Sequence, residues 1–394
     1  MNREAVIVSG VRTAIGDFGG ALRDVSCLEL GRIVIVEAIR RVAIKKDDVD
    51  QVIMGNVLPS GLGQNPARQA MLLAGLPVEV AALTVNKVCG SGLQAVMLAA
   101  QAIRVGDADI VVAGGMENMY QVPYYLSQAR GGYRLWDGKL VDGMVHDGLW
   151  DILADYHMGV TAENVAEDFH ISREDQDKFA LRSYKRARLA IANGSFKEEI
   201  VRVEVPQKKG ESVMFEVDQV PQRQTSLEAL SKLPPVFKEG GTVTAGNSSK
   251  LSDGAAALVV MAQEKAKELG IESMARVVAY GAAGIDTKIV VAAPINCIPK
   301  VLKKAGIQET GIELHEINEA FASSTVATIR ELGINESKVN VNGGAIALGH
   351  PIGCSGARVL VTLLYAMKKR NAKKGMATLC LGGGEAVSII VERE

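Results

Sequence analysis

The 394-residue sequence predicts a layered α/β fold in which one unit is used twice. Three observations carry that expectation. Strand-like apolar runs alternate with helical stretches, the pattern of α/β architectures. The second half repeats the order of the first, motif by motif. One long stretch, residues 119–246, has no counterpart in the other half.

In chain order, strand-like runs fall at Val6–Val8, Val52–Met54, Leu83–Val85, Ile110–Ala113 and Leu258–Met261. A helix opens at Ser26, with Glu29 three residues on as in a capping box. A second opens after Gly92, because Leu93, Val96, Met97 and Ala100 recur at helical spacing. The unmatched stretch is rich in aromatics (Tyr120, Tyr124, Tyr125, Tyr133, Trp136, Trp150) and holds a helical run from Glu174 to Ala192. Its length marks a subdomain, read as a lid or cofactor clamp with a purely structural or oligomeric insertion as the alternative. Then the first pattern returns. Val277–Gly281 echoes Val6–Gly10, His315–Asn318 echoes Ile53–Asn56, and Val341-Asn342 echoes Val85-Asn86. Gly353–Gly356 with a helix from Ala357 echoes Cys89–Gly92 with its helix, Ala377–Glu385 echoes Val111–Glu117, and Val387–Val391 echoes Leu258–Met261. The expected division is 1–118 plus 247–270 as the first half, 119–246 as the insertion and 271–394 as the second half. Sites commonly lie where two such copies meet.

Bulk properties narrow the function. Hydrophobic residues make up 48% and charged residues 23%, ordinary for a packed globular chain. A net charge of −1 argues against a broad nucleic-acid or membrane surface. No apolar run is read as long enough to span a bilayer, and Met1–Glu4 leads straight into a strand with no signal-peptide pattern. The five cysteines are scattered, forming neither a disulfide framework nor a zinc site, so a reducing cytoplasm is the default expectation.

Four stretches carry chemistry. Cys89 sits at a strand-to-helix turn among the first unpaired helical N–H groups, whose dipoles favour a thiolate. Gly90 and Gly92 keep side-chain bulk away, so that a substrate carbonyl approaches the sulfur closely. The competing reading is a buried structural cysteine. Asn340–Gly353 is a glycine-rich loop carrying one histidine, His350. Cys380 lies at a strand end before Gly382-Gly383-Gly384, and Asn318 opens a polar turn after a strand. Singly, each has a bland reading as loop, core or cap.

Together, these stretches resemble the thiolase family over essentially the whole chain. The resemblance rests on Asn86–Val96, Gly114–Met119, His157–Asn164, Gly241–Ser249, Asn318–Ala322, Asn342–Arg358 and Cys380–Gly384, most like the short-chain, acetyl-CoA branch. It implies a layered αβαβα core with an inserted loop domain and reversible condensation of two acetyl-CoA through an acyl-Cys89 intermediate. His350 would activate Cys89 and Cys380 would remove the α-proton of the second acyl-CoA. Asn318, through a water, and His350 would form one oxyanion hole, and the N–H groups of Cys89 and Gly382 a second. Coenzyme A would be substrate and product, with no permanently bound cofactor and no metal. Ser249, His157, Met158, Leu233, Phe237 and Phe321 would line its path, with Arg223 near the nucleotide. The family also implies dimers paired into tetramers, with no nucleic-acid or membrane partner.

The chain departs from the family pattern at Glu385-Ala386, Val290–Pro294, His315, Tyr120 and the Gln222-Arg223 pair. A carboxylate at 385 either raises the Cys380 pKa by facing the site or pairs internally. These departures leave open a longer, branched or functionalised 3-oxoacyl-CoA as substrate. A catalytically inactive binding subunit is the reading from a different class, and four intact chemical residues argue against it.

Overall fold

A computed structural model describes residues 3–207, 210–222 and 224–394. Arg223, expected near the nucleotide, lies outside the described residues. The principal elements are β1 (Ala5–Thr13), α1 (Cys27–Arg41), β2 (Gln51–Gly55), α2 (Pro66–Leu73), β3 (Ala81–Val85), α3 (Ser91–Val105) and β4 (Ile110–Asn118). There follow α4 (Met158–Asp168), α5 (Arg173–Ala192), β5 (Ser252–Ala262), β6 (Ala275–Gly284), α6 (Pro294–Ala305) and β7 (Leu314–Ile317). The chain ends with α7 (Ala322–Leu332), α8 (Ile352–Arg370), β8 (Lys374–Leu381) and β9 (Glu385–Glu392).

The strand order β7-β8-β9-β6-β1-β5-β4-β2-β3 exposes the duplication. In the first half the order β3-β2-β4-β5-β1 has β3, β2 and β4 parallel and β5 antiparallel to β4 and β1. In the second half β7, β8, β9 and β6 repeat β2, β4, β5 and β1 with the same directions. Each first strand also carries a register shift near its start, between Ile7 and Ser9 and between Val277 and Ala279. The counterpart of β3 is reduced to one parallel bridge, Val339 to His315, so Val341-Asn342 does not form the expected strand. The halves join through Val6–Arg276 and Ile7–Ala275.

Side-chain alternation places the layers. Along β5, Ala256, Leu258, Val260 and Ala262 face a central core with α3 and α8, while Ala255, Ala257, Val259 and Met261 face an outer core with α1 and α2. Val387, Ile389 and Val391 on β9 face the same central core from the other side, and Ala386 and Ile390 face the outer core with α6 and α7. The result is five layers, αβαβα. Burying each Leu, Val or Met of the central helices contributes about 1.5–3 kcal/mol. The Val88–Val105 stretch, against the sequence expectation, is long and apolar enough to cross a bilayer. Its place between two sheets accounts for that apolarity.

The two central helices touch backbone to backbone. A Cβ on Gly356 would lie 2.2 Å from Leu93 N, and one on Gly92 would lie 2.7 Å from Ala357 N. Helix α8 begins at Ile352 rather than the expected Ala357, which puts Cys354 and Ser355 in its first turn. At α1, Ser26 caps Glu29 N as expected, but the Glu29 carboxylate pairs with Arg32 instead of closing a box. Within 119–246, α4 and α5 pack into the outer core of the second half.

Candidate active site

Cys89 sits in a turn knotted by local hydrogen bonds. Asn86 Oδ1 accepts from Val88 N at 3.0 Å, Ser91 Oγ accepts from Lys87 N at 2.8 Å and donates to Val88 O at 2.6 Å. Val88 takes a left-handed φ of 46°, an outlier for a β-branched residue that costs about 1–3 kcal/mol. That strain turns the chain sharply into α3. Its sequence signal is weak, because Val is the last residue expected to adopt this conformation. The expected role of the neighbouring glycines needs correction: a Cβ on Gly90 would meet Leu381 Cδ2 at 2.5 Å and Val387 Cγ2 at 2.8 Å. The space beside Gly90 and Gly92 is filled by the second half, and admits close packing rather than substrate.

The N–H groups of Cys89 itself and of Gly382 both act on the Cys89 sulfur and favour its thiolate. Burial nevertheless pushes the thiol up to about 11, outweighing both donors. Desolvation thus opposes the pull toward a thiolate expected from the helix start.

His350 is buried and its tautomer is fixed by its partners. Nδ1 lies 2.6 Å from Ser355 Oγ, and Ser355 Oγ donates its proton to Pro351 O at 2.9 Å. The hydroxyl must then accept, so Nδ1 carries the hydrogen and Nε2 is free to take a proton. Nε2 faces Asn318 Nδ2 at 3.4 Å. Burial, then the Arg358 charge, lowers the imidazole to about 3, so it rests neutral. Ser355 was missed in the sequence; reading α8 as starting at Ala357 hid its place one turn beyond the histidine.

Cys380 lies on β8 on the face opposite the central helices. Burial first, and the neighbouring Cys89 second, hold its thiol far above the usual range. Glu385 makes an ion pair of 2.7 Å with Lys87 across the Gly382–Gly384 turn, the internal pairing of the two alternatives.

Three loops meet around Asn318. Ser249 N donates to Ala320 O at 3.0 Å, Ala322 N to Asn247 O at 2.9 Å, and His350 N to Lys250 O at 2.9 Å. Asn340 braces the Asn318 turn, accepting from Ile317 N and donating to Ile317 O, each at 2.8 Å, and donating to Glu319 Oε1 at 2.8 Å. Asn318 itself is buried, and its Oδ1 meets no partner among the described residues.

The expected CoA-path residues come together beside these loops. His157 stacks on Phe237 at 4.7 Å between ring centroids, and Phe237 meets Phe321 edge-on at 6.0 Å. Gly159 makes room for the Phe237 ring, which a Cβ there would meet at 2.2 Å. A Cβ on Gly382 would lie 3.8 Å from Met158 Sδ, and one on Gly246 would lie 2.6 Å from Leu233 Cδ1. The apolar row thus runs from the cysteine pair toward the Ser249 loop. Of the departures, Val290–Ala293 is buried in the outer core of the second half, and His315 is buried with Nε2 3.3 Å from Glu309. Tyr120 packs edge-on against Phe18.

Two family matches divide the chain at the start of the second half: "Thiolase, N-terminal domain" covers residues 5–264 and "Thiolase, C-terminal domain" covers 271–393. The chain belongs to the thiolase family. This thiolase is 53% identical over 391 residues to a Cupriavidus necator protein named acetyl-CoA acetyltransferase, covering 99% of this chain and 100% of that one. It is 52% identical to an Escherichia coli protein of the same name, covering 99% of each chain. The crystal structure of the Bacillus anthracis acetyl-CoA acetyltransferase superposes with a TM-score of 0.98 at 43% identity, covering 100% of both chains.

Proposed function

We propose that this thiolase condenses two acetyl-CoA reversibly to acetoacetyl-CoA and CoA through an acetyl-Cys89 intermediate. The observation that supports this reading best is the pairing of Cys89 with Cys380 and the Gly382 N–H group, together with a neutral His350 whose Nε2 faces Asn318, beside an apolar row suited to pantetheine.

His350 Nε2 takes the Cys89 proton as the sulfur attacks the acetyl carbonyl, whose oxygen is held by the N–H groups of Cys89 and Gly382. The tetrahedral adduct collapses and expels CoA thiolate, which takes the proton of Cys380. Burial keeps Cys380 protonated at rest, so it serves first as the acid. It is left as a thiolate beside the imidazolium of His350. Cys380 then removes the α-proton of a second acetyl-CoA, and His350 Nε2–H with Asn318, through a bridging water, stabilises the enolate oxygen. The carbanion attacks acetyl-Cys89, forming the carbon–carbon bond. The departing Cys89 thiolate recovers its proton from His350, and every group returns to its starting state.

CoA enters and leaves as a substrate along His157, Met158, Leu233, Phe237, Phe321 and Ser249, and no step calls on a resident cofactor or metal. A second copy of the chain covers the edge strand β3, where Leu83 is half exposed beside Leu72, Leu73 and Val78. Such dimers pair into tetramers in a cytoplasmic enzyme. The test is radiolabelled acetyl-CoA with wild type and Cys89→Ala. Wild type should retain one acetyl group per chain and the variant none; label persisting in the variant sinks the assignment. A thiolysis panel of acetoacetyl-CoA against longer and branched 3-oxoacyl-CoAs identifies the acyl group.

A further inference from the structure

One fully buried carboxylate lies outside the reacting groups yet touches the supports of two of them. Glu117, at the end of β4, is 0% exposed. Its Oε2 accepts from Val57 N at 3.0 Å and Gly353 N at 2.8 Å, and its Oε1 from Asn56 Nδ2 at 2.6 Å and Leu58 N at 3.3 Å. Four donors fill an ionised carboxylate. An amide or neutral acid in its place would turn a hydrogen toward at least one of them.

Each contact leads to a different half of the site. Gly353 is the second residue of α8, and Pro351 before it offers no side-chain cap, so Glu117 caps that helix from the inner face of the neighbouring strand. The same first turn contains Ser355, which holds His350 Nδ1. The approach requires glycine at 353, where a Cβ would lie 2.6 Å from Glu117 Oε2. In the other direction, Val57 O accepts from Asn86 Nδ2 at 3.3 Å, and Asn86 Oδ1 holds Val88 N, one residue before Cys89. Asn56 N also donates to Val85 O at 3.0 Å, fixing the strand end that leads into the Cys89 turn.

We propose that Glu117 is a positioning residue that clamps the Cys89 turn and the start of the His350 helix into one geometry. This rests on the roles of Cys89 and His350 set out above. The clamp works when Glu117 is ionised. Burial pushes its pKa up to about 7, against the pull of the Val57, Gly353 and Leu58 N–H groups, with the charge of Asp253 adding to the rise. The other titratable groups that feel this carboxylate are Cys27, Cys89 and Cys354. Asp253 is itself pushed up to about 7 by burial, so it is the competing source of any titration there.

The experiment measures kcat and KM for thiolysis of acetoacetyl-CoA across about pH 5 to 9 in wild type, E117Q and D253N. Loss of the clamp should lower kcat about 10- to 100-fold in E117Q, since small misplacements of reacting groups cost that much, with KM for acetoacetyl-CoA unchanged. In wild type and D253N, kcat should rise with pH through a limb near 7 that E117Q lacks. A folded E117Q with wild-type kcat, or with the limb intact, overturns the proposal. If E117Q does not fold, D253N decides: a retained limb supports the clamp and an absent one overturns it. Acetyl label persisting in Cys89→Ala would instead mark failure of the reaction assignment, whatever E117Q does.

Discussion

Replacing Ser355 with alanine isolates the support of His350 from the reacting groups. The hydroxyl makes two contacts, accepting from His350 Nδ1 at 2.6 Å and donating to Pro351 O at 2.9 Å. Its loss leaves a buried ring N–H unpaired, at a cost of about 1–3 kcal/mol. The same loss frees the imidazole to place its hydrogen on Nε2, the wrong nitrogen for taking the Cys89 proton. If the whole cost appears in the barrier, kcat falls about 5- to 150-fold. Alanine suits the first turn of α8, so the helix should survive and circular dichroism should match wild type. The assay is thiolysis of acetoacetyl-CoA, with imidazole ¹⁵N shifts reporting the tautomer: wild type should show the hydrogen on Nδ1 and S355A a mixture. A folded S355A with kcat within about twofold of wild type would refute the tautomer argument, because the cost would then be absent from the barrier.

Other expectations follow from the same geometry. Cys380→Ser should still form acetyl-Cys89 but lose condensation by about 10²–10⁴-fold, measured as single-turnover acylation against product formation; condensation at near-normal rate would place the base elsewhere. Gly356→Ala should destabilise the fold by about 1–3 kcal/mol or more in urea unfolding, since its Cβ meets the Leu93 backbone, while Gly131→Ala, whose nearest neighbour is 3.8 Å away, should change little. Stability should fall as pH rises from about 5 to 8. Burial raises Glu117 and Asp253 to about 7 and Glu316 to about 8, so in that window the folded chain binds more protons than the unfolded one and ∂ΔG/∂pH is negative. A melting temperature that rises over the same range contradicts the sign.

The fold was legible because duplication writes the same periodicities twice. Strand alternation, helical spacing and the motifs that follow each strand carry direction and burial, so β1, β2, β4 and β5 could be matched to β6, β7, β8 and β9. What escaped was set by contacts distant in sequence. Nothing around Val341 reports that its strand shrinks to a single bridge. The glycines at 90 and 92 look like room for a ligand until the second half is seen to occupy it. A helix dipole acts locally and was readable at Cys89, but the packing against its turn comes from residues nearly 300 positions away, such as Leu381 beside Gly90.

The two asparagines at matching strand ends show how one frame yields two tools. Asn56 follows β2 and Asn318 follows β7. In the first half the amide hydrogens are engaged: Asn56 Nδ2 donates to Glu117 Oε1 at 2.6 Å and to Met116 O at 3.2 Å, while its Oδ1, like that of Asn318, meets no partner among the described residues. In the second half the amide of Asn318, among the described residues, reaches only His350 Nε2, at a long 3.4 Å. A buried amide held by a carboxylate is fixed and contributes rigidity; one held loosely keeps its hydrogens available to charge that appears later. The difference traces to the neighbouring strands, where Glu117 ends β4 facing inward while Glu385, just past β8, turns out to Lys87. A carboxylate that satisfied Asn318 as Glu117 satisfies Asn56 would leave no donor for an enolate and would set a negative charge beside the base. On the proposed mechanism, the second half gains its chemistry by keeping the Asn318 amide hydrogens clear of a carboxylate such as the one that holds those of Asn56.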